Sequence, residues 1–172
     1  FKGVEYVSVD KRLVDTFYED KQLAADAIDF DATEVYENMF VVASNQESSS
    51  FLATNKNGVL KPLTRKNIEN PHIEPRNSEQ RFAIEALLDP DISLVTLTGL
   101  AGSGKTFLAL MAALCLTNRN EFSKQLEDSG FTKQKRIIVT RTLQHVGSRD
   151  LGYLPGTMQD KMAPWLAPIV DN

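Results

Sequence analysis

The sequence predicts an α/β fold: helices layered on a parallel sheet that is incomplete within these residues, preceded by a small, mainly β module. Three observations carry that prediction. Gly99-Leu100-Ala101-Gly102-Ser103-Gly104-Lys105-Thr106 fits the pattern of glycine, any four residues, then Gly-Lys-Ser/Thr. An apolar, β-branched run from Ile92 to Leu97 precedes it, with the bulk and length of a buried strand. Lys105 to Thr117 follows, built almost only from good helix formers and without Gly or Pro. Strand, glycine loop and helix in that order make the pattern a phosphate-binding loop of the P-loop NTPase kind. The plainer alternative is a glycine-rich turn that joins two elements.

Each residue type in the loop has a physical task. Gly99, Gly102 and Gly104 let the backbone bend and approach an anion closely. Successive N–H groups through Leu100, Ala101 and Ser103, together with the helix N-terminus, then point at phosphate. The Lys105 ammonium reaches the β- and γ-phosphates as a point charge, and the Thr106 hydroxyl joins the shell of a Mg²⁺ ion.

Composition limits the partners. The chain has 172 residues, 42% hydrophobic and 24% charged, which is that of an ordinary globular protein. Its net charge of -4 and pI near 5.2 exclude an overall basic footprint for nucleic acid. The acidic excess lies in residues 1–70, whereas residues 71–172 are balanced. A phosphate backbone would therefore have to be met by a local patch. Cys115, the one cysteine, cannot form an intrachain disulfide and reads as a buried structural thiol in the apolar helix. Residues 1–20 lack a signal-peptide apolar core, and the longest apolar run, Phe107 to Leu116, is too short for a bilayer. The expectation is a cytoplasmic protein with no membrane partner. Because the chain starts at Phe1 without methionine, it is expected to be part of something longer.

Taken in order, Val4, Tyr6, Val7 and Val9 predict a short opening strand. Asp10 is placed to cap a helix from Lys11 to about Tyr18 with Leu13, Val14, Phe17 and Tyr18 as its apolar stripe. Glu19 to Glu37 is acidic and loosely patterned. Three strand-like runs follow, Met39 to Ala43, Phe51 to Thr54 and Val59 to Leu63. Ser44 to Ser50 is a polar turn between the first two, and Asn57-Gly58 is a hairpin connector because both residues accept positive φ. Residues 1–63 thus read as a small antiparallel β module. Residues 64–76, polar and Pro-containing, read as the linker, and residues 77–172 as the domain that carries the glycine loop. His72 in that linker reads as a solvated histidine, since His145 is the only other one and a metal site lacks ligands. Asn77 or Ser78 caps a helix with Phe82, Ala83, Ala86 and Leu87 at helical spacing, ended by Asp89-Pro90-Asp91. The helix after the loop is apolar nearly all round, which implies burial on most sides. Lys135 to Arg141 reads as a second parallel strand with a basic entry and a basic exit.

At Arg76-Asn77-Ser78-Glu79-Gln80, ahead of the loop, a resemblance becomes specific. Asn followed by Gln at this offset is similar to the adenine-reading element of superfamily 1 helicases, which implies a RecA/helicase-like parallel sheet. A glutamine amide offers the donor and acceptor that adenine N6 and N7 require, so Gln80, with Asn77 beside it, favours ATP over GTP. A solvated residue in the first helical turn is the structural alternative. The resemblance extends from Asn77 to Asn172 and points to the PhoH-like ATPase family. It is strongest at Leu94 to Leu108, at Ile137 to Arg141, and in Gly147-Ser148-Arg149-Asp150-Leu151-Gly152-Tyr153-Leu154-Pro155-Gly156. One departure is Thr142, where the family has Pro directly after the strand-ending arginine.

The resemblance implies ATP hydrolysis coupled to RNA unwinding or processing, with ATP and Mg²⁺ as cofactors and single-stranded RNA and a homo-oligomer as partners. Thr140 and Arg141 resemble helicase motif Ia, so Arg141 is a candidate nucleic-acid contact, with an ion pair as its alternative. Tyr153 and Trp165 are candidate stacking faces or packing residues. The N-terminal part, with its Asn-x-Phe strand at Asn38 to Phe40, resembles the connector module of PIN–PhoH fusions and so implies a PIN domain upstream. The carboxylates of Asp26 to Glu37 show no metal-site spacing of their own.

Hydrolysis also needs a second strand ending in an acid that holds Mg²⁺ and places the water, and an arginine at the transition state. After Arg141 the one candidate is Ile169-Val170-Asp171, which lies beside Pro164 and Pro168 and is too short for a central strand. The sequence is therefore expected to be a fragment that binds nucleotide without turning it over alone. Two other readings stay open: a P-loop phosphotransferase acting on a small molecule, and a non-catalytic nucleotide-binding interaction module.

Overall fold

The computed structural model describes residues 3–30, 34–45, 47–64, 74–117 and 136–140. Four of the five strands and the three α-helices among the described residues fall where the sequence pattern places them. β1 (Val4–Ser8) leads into α1 (Lys11–Asp20). A two-residue strand, β2 (Leu23–Ala24), is followed by a 3-10 turn at Ala25–Ala27. β3 (Phe40–Ser44), β4 (Ser50–Lys56) and β5 (Val59–Pro62) form a meander. The β4–β5 turn is made by Asn57 and Gly58, with φ of 54° and 77°, the paired positive angles expected of Asn-Gly in a tight hairpin.

The sheet order is β1-β3-β4-β5-β2. β3, β4 and β5 pair antiparallel, but β1 runs parallel to β3, with Val4 opposite Phe40 and Ser8 opposite Ser44. The expected antiparallel module is thus a mixed sheet. A parallel pair needs a crossover longer than a turn, and α1 lies within the one supplied here. β2, inside the stretch read only as acidic and loosely patterned, pairs with β5 at the opposite edge.

Alternation sorts each strand onto two faces. Val41, Ala43, Phe51, Ala53 and Leu60 turn toward α1, where Val14 and Phe17 complete a buried core with Leu23, Ile28 and Met39. The Phe17 and Phe51 rings stack at 3.9 Å. Tyr18, expected in the apolar stripe, is instead half exposed and donates its hydroxyl to the Ser50 carbonyl at 2.8 Å. Phe40, with Val42 and Leu52, turns to the other face and meets α2 (Ser78–Leu87).

α2 is the element that joins the sheet to the loop. Its side chains at Glu79, Phe82, Ala86 and Asp89 fall on one stripe, and those at Gln80, Ile84 and Leu88 on the opposite one, because residues two apart differ by about 200° on a helix. The first stripe faces the sheet: Phe82 stacks on Phe40 with ring centroids 4.7 Å apart, and Asp89, just beyond the helix, pairs with Lys56 at 2.8 Å. The buried Glu85 carboxylate accepts from both the backbone N–H and the hydroxyl of Thr64, each at 2.9 Å, tying the end of β5 to the same helix. The second stripe packs Ile84 and Leu88 against Leu108, Ala112 and Cys115 of α3 (Lys105–Thr117).

Three sequence expectations are corrected among the described residues. Ile92 to Leu97 carries no strand ladder; Ile92 and Val95 pack on the Phe40–Phe82 cluster, while Leu94 is 84% exposed. Residues 136–140 likewise form no ladder, and Ile138 is 81% exposed. A β-branched run becomes a strand only through a hydrogen-bonded neighbour, and the parallel ATPase-type sheet is not present among the described residues. The α3 helix is buried along Leu108, Ala112 and Cys115 rather than on most sides, because α2 is the element packed against it; Phe107 and Leu114 are exposed. Cys115 is buried, as its place in the helix implies.

Candidate phosphate-binding site

The loop from Gly99 to Gly104 has the backbone that its glycines permit. Gly99, Gly102 and Gly104 have φ of 149°, 77° and 85°, values that a side chain makes costly. At Gly104 the constraint is the backbone angle; an added Cβ would lie 3.4 Å from the Gln80 amide nitrogen, in ordinary contact. α3 begins directly after it, and the Leu108 N–H reaches the Gly104 carbonyl at 2.9 Å to close the first helical turn.

Lys105 folds back over the loop. Its ammonium donates to the carbonyl oxygens of Gly99 at 3.0 Å and Leu100 at 2.6 Å, and to the Ser103 hydroxyl at 3.2 Å. These three acceptors match the three donors of the ammonium, so an arriving anion exchanges with them rather than recruiting an idle charge. Thr106 is exposed beside it at the start of the helix.

Gln80 lies against the same loop. Its amide nitrogen donates to the Ser103 carbonyl at 3.3 Å, and its amide oxygen accepts from the Arg76 N–H at 2.8 Å. Asn77 is the N-cap of α2: its side-chain oxygen accepts from the Gln80 N–H at 2.8 Å, which fixes the turn that carries Gln80. The candidate base reader and its neighbour are thus both held by local hydrogen bonds. The Gln80–Ser103 contact was not legible in the sequence, because the two residues meet only once α2 packs on α3. Arg141 lies outside the described residues, as do Tyr153 and Trp165.

Glu79 precedes Gln80 and accepts a hydrogen bond from the Tyr6 hydroxyl of β1. That bond, the largest influence on both groups, holds the Glu79 carboxyl below its ordinary value and raises the Tyr6 hydroxyl above its own. Tyr6 thereby fastens the sheet edge to the first turn of α2, a role that no sequence pattern signals.

These elements border an open cavity of about 450 Å³ lined by loop residues Gly99, Ser103 and Lys105, by Gln80, and by Val4 and Phe40 of the sheet. That volume falls within the roughly 300–1,000 Å³ of small-molecule sites. Glycine loop, helix N-terminus and cation thus meet at one place, the arrangement expected of the phosphate-binding-loop class.

The model of the PhoH-like protein family matches residues 72–172, more than half of the chain. The chain belongs to that family. It is 36% identical over 179 residues to Protein PhoH2 of Bacillus subtilis, an alignment that covers all of this chain and 37% of the relative. With Protein PhoH2 of Thermobispora bispora it shares 42% identity over 98 residues, 56% of this chain and 20% of the relative. A PhoH-like protein of Synechocystis is 33% identical over 99 residues, 58% of this chain and 26% of its own length. The chain therefore spans little more than a third of the longest-matching of these relatives, and less of the others. No solved structure matches it. Family membership suggests nucleotide binding, and among the described residues no helix is long and apolar enough to cross a membrane.

Proposed function

We propose that the chain binds ATP at the Gly99–Thr106 loop and that the whole protein hydrolyses it, coupling turnover to single-stranded RNA unwinding or processing. The observation that carries this reading is the loop itself: three glycines at positive φ, with Lys105 across their carbonyls and the Gln80 amide against Ser103. The backbone fits a polyphosphate, since its three glycines hold positive φ, 85° at Gly104, that L residues resist and that turns backbone N–H groups toward one point. Lys105 exchanges its loop carbonyls for phosphate oxygens, which an ammonium bound to neutral acceptors does readily for an anion. The Thr106 hydroxyl is the group here that would hold Mg²⁺, an ion that neutralises phosphate charge when bound. Gln80 turns its amide from Arg76 and Ser103 to the adenine edge. The RNA partner rests on the family likeness, with Arg141 as the residue to test.

The deciding experiment compares ATP binding and hydrolysis by the full-length protein and its Lys105→Ala variant, with and without single-stranded RNA. Loss of both in the variant, and stimulation of the unaltered protein by RNA, is the expected result. Equal activity in the two proteins overturns the role of Lys105. Binding without turnover under either condition returns the protein to a non-catalytic nucleotide-binding module.

A further inference from the structure

We propose that the N-terminal sheet is a wall of the nucleotide pocket: Val4 and Phe40, with Gly3 at the edge, hold the base of the nucleotide whose phosphates lie on the Gly99–Thr106 loop. The inference deepens the ATP-binding reading and rests on it. The starting point is the cavity, which is bounded jointly by the loop, the first turns of α2 and the sheet, so a ligand that fills it touches all three.

Charge sets the orientation. Of the residues lining the cavity, Lys105 is the cation and Glu79 the carboxylate. A polyphosphate is drawn to Lys105 and the loop N–H groups and repelled from Glu79. The uncharged end of the ligand therefore takes the side that Glu79, Val4 and Phe40 share. That side suits a heterocycle, with apolar surface from Val4 and the Phe40 ring and an amide from Gln80 for the polar edge.

The wall is built to hold its place. The Phe40 N–H donates to the Gly3 carbonyl at 3.1 Å, and the Gly3 N–H donates to the Tyr36 hydroxyl at 3.0 Å, so the edge strand is anchored through Gly3, directly before Val4. Phe40 stacks on Phe82, and Tyr6 bonds Glu79, so the sheet and the helix that carries Gln80 are joined at two points beside the cavity. Tyr6 is a positioning residue in this arrangement: it fixes the turn that bears Gln80 without reaching the ligand.

Calorimetry on the full-length protein with two probes, ATP and inorganic tripolyphosphate, tests the wall. A Val4→Trp substitution fills the base side of the cavity. It is expected to weaken ATP about tenfold while changing tripolyphosphate by less than about twofold. In parallel, 2-azido-ATP photolabelling of the unaltered protein is expected to mark peptides that contain Val4 or Phe40. Unchanged ATP affinity in the variant, or label confined to residues 77–117, overturns the sheet wall and leaves the ATP-binding reading standing. An unaltered protein that binds neither probe overturns both. If the variant binds neither because it does not fold, the photolabel on the unaltered protein decides alone.

Discussion

The sheet region, residues 4–62, and the loop region, residues 77–117, solve different problems with similar amounts of apolar sequence. In the sheet, almost every large apolar side chain finds cover: Met39, Val41 and Leu60 are fully buried and both faces carry a helix. In the loop region, Leu94, Leu100 and Leu114 are exposed, and the run ahead of the glycines has no ladder among the described residues. The proposed chemistry is nevertheless in the second region. The difference teaches that the better-packed part serves as the frame, and that α2 transmits its order. One stripe of that helix is seated on the sheet through Phe82 and Ala86, and the other delivers Gln80 to the loop.

The strongest way to break this comparison is to damage the frame. Phe51, 2% exposed and stacked on Phe17, sits at the centre of the α1-side core. Phe51→Ala is expected to cost about 3–5 kcal/mol, most of the stability of a small domain. Urea unfolding followed by circular dichroism measures it. A loss below about 1 kcal/mol would mean that the sheet is not the stabilising unit. Nucleotide binding is expected to fall with it, although Phe51 lines no part of the loop cavity.

A change in the loop should do the reverse. Gly104→Ala forces an L residue into a φ of 85° and places its Cβ 3.4 Å from the Gln80 amide nitrogen. The strain is on the order of 1–2 kcal/mol and falls where phosphate would approach. ATP affinity is expected to drop about tenfold, while hydrogen exchange of the β3 and β4 amides stays unchanged. Altered exchange in those strands would show that the two regions are not separable in this direction.

Between the two lies the cap. Asn77→Ala removes the acceptor of the Gln80 N–H and is expected to cost about 1 kcal/mol, read from the same urea transitions. Because the cap orders the turn that bears Gln80, ATP should weaken in the variant and tripolyphosphate should not. Equal weakening of both would place Asn77 on the phosphates instead.

Much of this was legible in the sequence, and the reasons differ by residue. Asn57-Gly58, the Asn77 cap and the Val14–Phe17 stripe are local rules, set by φ preference, a side-chain acceptor and helical spacing. The glycine loop is legible because its constraint is on the backbone itself. β2 was not, since a two-residue strand has no period, and neither was the parallel β1–β3 pair, whose partners are joined only after a crossover. Phe40 against Phe82, Tyr6 against Glu79 and Gln80 against Ser103 are meetings between distant segments, which composition does not encode. The run at Ile92 to Leu97 shows the opposite failure. Its composition is that of a strand, and the ladder that defines one is a property of two segments.

The finest test addresses the seam between frame and loop region, where Tyr6 meets Glu79. The Tyr6 hydroxyl keeps the Glu79 carboxyl below its ordinary value of 4.5, so folding favours the ionised acid. The stability this contributes is present above that ordinary value and is lost as pH falls through the lowered one. Tyr6 itself is raised above its ordinary 10.0, chiefly by the same bond, and its share is present below 10.0 and lost as pH rises through the raised value. The contact therefore holds across the neutral range and fails at both ends. Tyr6 is 59% exposed, so solvent screening keeps the effect below about 1 kcal/mol. Melting temperatures of the unaltered protein and Tyr6→Phe across pH are expected to differ at pH 7 and to converge in acid and in strong alkali. A constant offset at every pH would show that the hydroxyl acts through packing alone. The seam would then rest on Phe40 and Phe82, and Glu79 would be free to follow the ligand rather than the sheet.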